Sequence, residues 1–270
     1  MSEDTFISHL VELRDRLLRA LAAVLGVFIL MWFWPGYGVL YDFLAEPLIK
    51  TLPAGSKMIA TSVITPFLVP LKVGLMAAFL VVLPYVLYQA WAFIAPGLYA
   101  HEKKLVLPLV VSSTLLFLVG VTFCYYFVFG QLFKFIASFA PASITPAPDI
   151  EQYLSFVLTM FLAFGVAFEV PVALVVLVRM GVMTVEQLRE WRGYFVVAAS
   201  IVAAVVTPPD VVSMLALLIP MCILYEIGIV VARIVVKVKA PESSDYQPPT
   251  TGEMDRELDK IEQQEKSRYP

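Results

Sequence analysis

Charge-free stretches alternate along this chain with short clusters of Lys, Arg, Asp and Glu, and that alternation sets the expected elements. An α-helix rises ~1.5 Å per residue, so about 20 apolar residues cover the ~30 Å of a bilayer's hydrocarbon. Residues 20–41 carry no charge, but Pro35-Gly36 ends a helix near Trp34. Residues 73–100 and 105–133 are each long enough to cross. Residues 152–178 are interrupted only by Glu169, and 211–232 only by Glu226. Residues 193–209 run into Thr207-Pro208-Pro209, which leaves about 14 helical residues reaching only ~21 Å. The pattern predicts six transmembrane helices near 17–34, 71–91, 104–130, 154–178, 193–206 and 211–232. The short fifth requires a thinned bilayer or a helix end below the interface.

The segments between the spans have their own patterns. Residues 2–21 place Phe6, Leu10, Leu13 and Leu17 on one helical stripe, with Asp4 or Thr5 as a cap and Glu12 in register to pair with Arg16. This predicts a solvated helix on the membrane surface that runs into the first span. Residues 35–70 form a long connection with an amphipathic stretch (Leu40, Phe43, Leu44, Leu48), and 131–153 a second, rich in Pro and Ala. The third is the turn TPPD at 207–210. The membrane domain is expected over 1–235. Residues 236–270, with Pro241, Pro248, Pro249 and mixed charge, are expected to be a largely disordered cytoplasmic tail with room for a short polar helix at 252–266.

Composition supports this division. Of 270 residues, 60% are hydrophobic and 15% charged, against ~45–50% and ~25% in ordinary globular chains, and the mean hydropathy is +0.84. No soluble core hides that much apolar surface. The net charge of −3 comes from the tail, where residues 240–270 hold 8 acidic and 4 basic side chains. Nothing is basic enough to suggest nucleic acid as a partner. Lys and Arg then orient the chain. Arg14, Arg16, Arg19, Lys103, Lys104, Arg179, Arg189, Arg192 and those beyond 232 place 15 on one face, and Lys50, Lys57, Lys72 and Lys134 place 4 on the other. Both termini are therefore expected in the cytoplasm.

Candidate chemistry is sparse. Cys124, Cys222, His9 and His101 read as packing or surface residues, and no metal, cofactor or catalytic constellation is expected. Glu169 lies mid-span in FLAFGVAFEVPVAL, where a carboxylate costs at least ~2.5 kcal/mol. Gly165 one turn earlier allows a ligand or helix to approach closely, and Pro171 frees the carbonyl of Ala167. Glu226, near a span end, reads as a structural or snorkelling acid. Pro84, Pro108, Pro171 and Pro220 kink their spans and favour a curved bundle. Glu12 and Glu102 on the cation-rich face suit a dibasic ligand if folding brings them together, and Trp91, Phe93 and Tyr99 form an aromatic belt beside Glu102.

The segments HLVELRDRLLRA at 9–20, PLIKTLP at 47–53, YQAWAFIAPGLYAHEKK at 88–104, FGVAFEVPVAL at 164–174 and TPPDVVSMLALLIPMCILYEIGI at 207–229 resemble TatC, the core subunit of the twin-arginine, Sec-independent protein translocase. The likeness spans 6–235. It implies an all-α membrane protein, a concave bundle of six transmembrane helices with both termini inside, in the bacterial cytoplasmic (inner) membrane. It implies a receptor for the paired arginines of signal peptides on folded cargo, which assembles with itself and with TatA- and TatB-type single-span subunits along the fifth and sixth helices and uses the proton-motive force. Carried over by motif, the signal-peptide site comprises Glu12, Arg14, Phe93 and Glu102. Glu102 would be the main guanidinium acceptor and Glu12 the second, Arg14 would orient the acids, and Phe93 would pack beside the motif. Pro47 and Asp210 match periplasmic-cap positions, and Glu169 the acid of the concave face. Ser62 and Thr65 stand where many members carry an acid, and Met214 where some carry a polar residue. The competing reading is a proton-coupled secondary transporter using Glu169 and Glu226 as a relay, for which inverted repeats would be expected and none is found.

Overall fold

The computed structural model describes residues 3–33, 37–50, 58–94, 106–138, 147–207 and 210–238. Their order is α1 Glu3–Phe33, α2 Tyr37–Ile49, α3 Thr65–Ile94, α4 Val106–Ser138, α5 Ile150–Arg179, α6 Val185–Glu190, α7 Arg192–Val206 and α8 Val211–Val238. Among the described residues there is no strand, only an isolated parallel bridge between Ile59 and Asp149. Helices α3, α4, α5 and α8 are long and apolar enough to cross a membrane, and the chain is an all-α membrane protein. Helix α7 is apolar but has 15 residues, about 22 Å. The chain divides into a unit Met1–Ile234 and a second, Val235–Pro270; beyond Val238 the expected tail lies outside the described residues.

The helices are longer than the charge gaps alone suggest. No breaker separates the N-terminal segment from the first apolar stretch, and the one runs into the other as a single continuous helix, α1, of 31 residues. Leu10, Leu13 and Leu17 stay exposed. The apolar packing of α1 begins near Ala20, where Val24 meets Ala78 and Val82 of α3, flanked by Ala23, Val27, Phe28 and Met31. A Cβ at Gly74 would stand 3.0 Å from the Phe28 ring. Small residues thus set the closeness of these two helices, as they do where lipid competes for every apolar surface. The connection expected over 35–70 contains α2 and the first turns of α3, with Pro66 tolerated where a helix's first amides have no partner.

Helix α5 is the central element. Leu154, Val157, Met160, Phe161 and Phe164 are buried against residues of α2, α3 and α4, with Ala199 and Ala203 of α7 and Leu217 and Met221 of α8 in the same cluster. Helices α4 and α5 approach through two glycines. A Cβ on Gly120 would stand 2.6 Å from the Phe164 carbonyl oxygen, and one on Gly165 would run into the Phe117 ring. The close approach anticipated at Gly165 is therefore taken by the protein's own α4.

Asp149 opens α5. One carboxylate oxygen accepts the amides of Glu151 and Gln152, both at 2.9 Å, and the other accepts the Thr61 amide at 3.0 Å and hydroxyl at 2.6 Å. These bonds, the Thr61 hydroxyl first, hold its carboxyl down to about 2. Nearby, Glu151 accepts from Thr65 and Lys72, so the start of α5 is tied to the start of α3. In α2, Pro47 has no amide to offer the carbonyl of Phe43 one turn back. The Tyr125 hydroxyl donates to that carbonyl at 2.7 Å from the π-helical turn Cys124–Val128 of α4, and the Tyr153 hydroxyl donates to the Leu44 carbonyl at 2.8 Å. Tyr125→Phe should cost about 1–2 kcal/mol, the penalty of a carbonyl left bare. In a Pro47→Ala background the loss should shrink, because the restored amide takes over the carbonyl; thermal unfolding of the four variants in detergent measures the coupling.

Candidate functional site

The sequence motifs fall at three places. The first is where the start of α1 meets the end of α3. Glu12 uses one oxygen twice, accepting Arg16 Nε at 2.9 Å and Nη2 at 2.6 Å, the i,i+4 pair expected from register. Arg16 Nη1 reaches across to Oε1 of Gln89 on α3 at 3.3 Å. The second oxygen of Glu12 faces His9 Nδ1 at 3.9 Å, beyond hydrogen-bonding reach. The His9 ring stacks on Phe93 at 4.4 Å and 19°. Glu12 and Phe93, far apart in sequence, thus share one patch through His9. Arg14 does not touch Glu12. Its guanidinium donates to Asp15 at 2.8 and 3.0 Å on the exposed side, so Arg16, not Arg14, orients Glu12. Glu102 and Tyr99 lie outside the described residues. Trp91 is buried rather than interfacial, donating its indole N–H to Ser113 at 2.8 Å.

The second place is Glu169. Helix α5 is broken there into Ile150–Phe168 and Val170–Arg179, because Pro171 cannot continue the amide ladder. The Glu169 amide turns back to the Val166 carbonyl at 3.0 Å. Its carboxyl lies near Ser113, yet among the described residues neither oxygen has a hydrogen-bond partner in acceptable geometry. Glu226 is different. It accepts Arg192 Nη2 at 2.6 Å, an ion pair between α8 and α7 rather than with Arg233 on its own helix. Among the described residues no chain of hydrogen bonds leads from Glu169, so the relay reading gains no support from them.

The third place is the far end of the bundle. Pro47 acts through the carbonyl it strips, as described above. Asp210 caps α8, its carboxylate accepting the Ser213 amide at 2.7 Å. Pro208 and Pro209 lie outside the described residues. Sequence reasoning missed Gln89, a buried amide in a charge-free stretch, and the brace of Asp149, Glu151, Thr65 and Lys72. Asp149 before an apolar helical run was a legible cap signal; the brace partners carry no local signal.

The family model described as TatC: Sec-independent protein translocase protein (TatC) matches residues 8–220. The Sec-independent protein translocase protein TatC of Halothiobacillus neapolitanus is 47% identical over 254 residues, 94% of this chain and 69% of that one. The protein of the same description from Escherichia coli K12 is 48% identical over 233 residues, covering 86% and 90%. The fold matches the crystal structure of a twin arginine translocase receptor, TatC, with a TM-score of 0.73 and 37% identity, covering 84% of this chain and 99% of that one.

An orphaned carboxyl contributes nothing to folding. Glu169→Leu should therefore leave the thermal midpoint in detergent equal or higher, since apolar replacement of an unsatisfied polar group is neutral or stabilising. Gly165→Ala should lower the midpoint, with a destabilisation of about 1–3 kcal/mol from the Phe117 clash. A Glu169→Leu variant that unfolds early would mean that the acid has a structural partner.

Proposed function

The chain belongs to the TatC family of Sec-independent protein translocase proteins, and on that basis we propose that it is the receptor and core subunit of a twin-arginine translocase. The family is one of transport components, not of enzymes, and its members are multi-pass proteins of the inner membrane. In this reading residues 1–235 cross six times with both termini cytoplasmic, α1 and α7 supplying the crossings beyond the four long apolar helices, and 236–270 form a cytoplasmic tail. The partition of Lys and Arg supports the orientation.

The observation that carries the reading is the patch of Glu12, His9 and Phe93. It presents a carboxylate with one oxygen unengaged by any described side chain, beside an aromatic face, on the end where cations cluster. A guanidinium is a planar fork of donors that suits such a carboxylate. Two arginines of a signal peptide need acceptors on separate elements. Glu102, in the connection after α3, is the main one and Glu12 the second. Arg14, exposed and carried by Asp15, belongs to the rim of this site, and Phe93 packs beside the bound motif. The apolar part of the peptide then enters the concave face past Glu169, while Pro47 and Asp210 brace the periplasmic caps. TatA- and TatB-type subunits, and further copies of this chain, dock on outward faces of α7 and α8, where Tyr194, Val205, Ile219 and Ile223 are exposed. The proton-motive force drives the folded cargo across, without cofactor or covalent chemistry.

The test is photo-crosslinking of a twin-arginine precursor to membranes carrying this chain, with a Lys-Lys precursor as control. Glu12→Gln should weaken capture about tenfold, equivalent to ~1.4 kcal/mol, and Glu102→Lys should abolish it while insertion persists. Equal capture of both precursors, or normal capture by Glu102→Lys, would refute the reading. Cysteines introduced at 186 and 145 should be labelled from the cytoplasmic and the outer side respectively.

A further inference from the structure

Among the described charges of the proposed site, Arg16 is the least exposed. Its side chain is 23% exposed, against 39% for Glu12 and 66% for Arg14. It sits one turn from Glu12, and two of its donors converge on the same Glu12 oxygen. A third donor goes to Gln89, which is 6% exposed on α3. That third bond crosses between helices, so it fixes the guanidinium relative to α3 and not merely to its own helix. Three bonds to two helices are poorly suited to a side chain that must swing away when a ligand arrives. They suit one that stays.

Resting on the reading above, we propose that Arg16 and Gln89 form a positioning clamp. Arg16 holds one oxygen of the Glu12 carboxylate, and Gln89 anchors Arg16 to α3, so the other oxygen faces the His9–Phe93 stack and meets an incoming guanidinium in a preset orientation. A carboxylate has about four lone-pair sites on its two oxygens, enough to hold one guanidinium inside and accept another from outside. The benefit is entropic: a Glu side chain held in one rotamer does not have to be ordered at the moment of binding. The clamp also sets specificity. With one oxygen already neutralised by Arg16, a compact ammonium gains little at the other, whereas a planar fork can still lie along the open edge.

The test is a double-mutant cycle on the full-length chain in detergent, reading affinity for a twin-arginine signal peptide and for its Lys-Lys counterpart. Arg16→Gln should weaken twin-arginine binding about tenfold and narrow the preference over Lys-Lys. In a Glu12→Gln background the same change should have little further effect, because the carboxylate it orients is gone. Gln89→Ala leaves every charge in place and should cause a smaller loss, about threefold. Arg16→Lys, which cannot span both Glu12 and Gln89, should recover only part of the affinity. Tighter binding by Arg16→Gln would mean that Arg16 competes with the ligand, and an equal loss in both backgrounds would mean a purely structural role; either overturns the clamp. If the parent chain shows no preference for twin arginine, the functional reading itself fails, which this first measurement separates from failure of the clamp alone.

Discussion

Hydrocarbon offers no hydrogen-bond partner, so each backbone group that a proline or a helix end sets free must be answered from within the protein. Much of this structure follows from that constraint. Pro47 strips an amide from α2, and Tyr125 of α4 supplies the missing donor to Phe43. Pro171 breaks α5, and the Glu169 amide turns back onto the Val166 carbonyl. Thr207 returns its hydroxyl to Ala203, and Asp149 and Asp210 cap the helices that follow them. Each answer comes from a neighbouring turn or a neighbouring helix, so satisfying the backbone also fixes how the helices are arranged.

Against that background, the exceptions carry meaning. Among the described residues, the buried side-chain atoms without a partner are the two carboxyl oxygens of Glu169 and the hydroxyl of Ser213. A carboxyl left unanswered inside a bundle that answers nearly everything else is costly to keep. Its position at the break of the central helix places it where the backbone is already irregular. The two ends of the bundle differ in kind. The end with Asp149, Glu151, Lys72 and Thr61 is locked by bonds that join α3, α5 and the segment before α3. The end with Glu12, His9 and Phe93 is stacked and half-engaged, with an oxygen to spare. Rigidity at one end and spare bonding capacity at the other suit a protein that holds its shape while gripping a passing ligand.

Several features were legible without coordinates. Charge-free stretches located the long apolar helices, because length and apolarity are local properties. The Glu12–Arg16 pair followed from helical register, and the oddity of Glu169 from a carboxylate amid apolar neighbours. Boundaries were less legible: the connection expected over 35–70 contains α2 and the first turns of α3, since nothing local in a charge-free stretch marks where a span begins. It is Arg16 rather than Arg14 that bonds Glu12, because which of two nearby arginines points at α3 depends on how α1 is rotated.

By itself, then, the sequence determined the helical class, the placement of the apolar spans and the residue types from which a guanidinium site can be made, all of which depend on periodicity and charge over a few turns. Only the tertiary structure decided which side chains meet. That Tyr125 completes α2, that Gln89 anchors Arg16, and that Arg192 rather than Arg233 pairs with Glu226 are facts of helix rotation and packing. The closeness of α4 and α5 is of the same kind, since a Cβ at Gly120 or Gly165 would meet the facing helix.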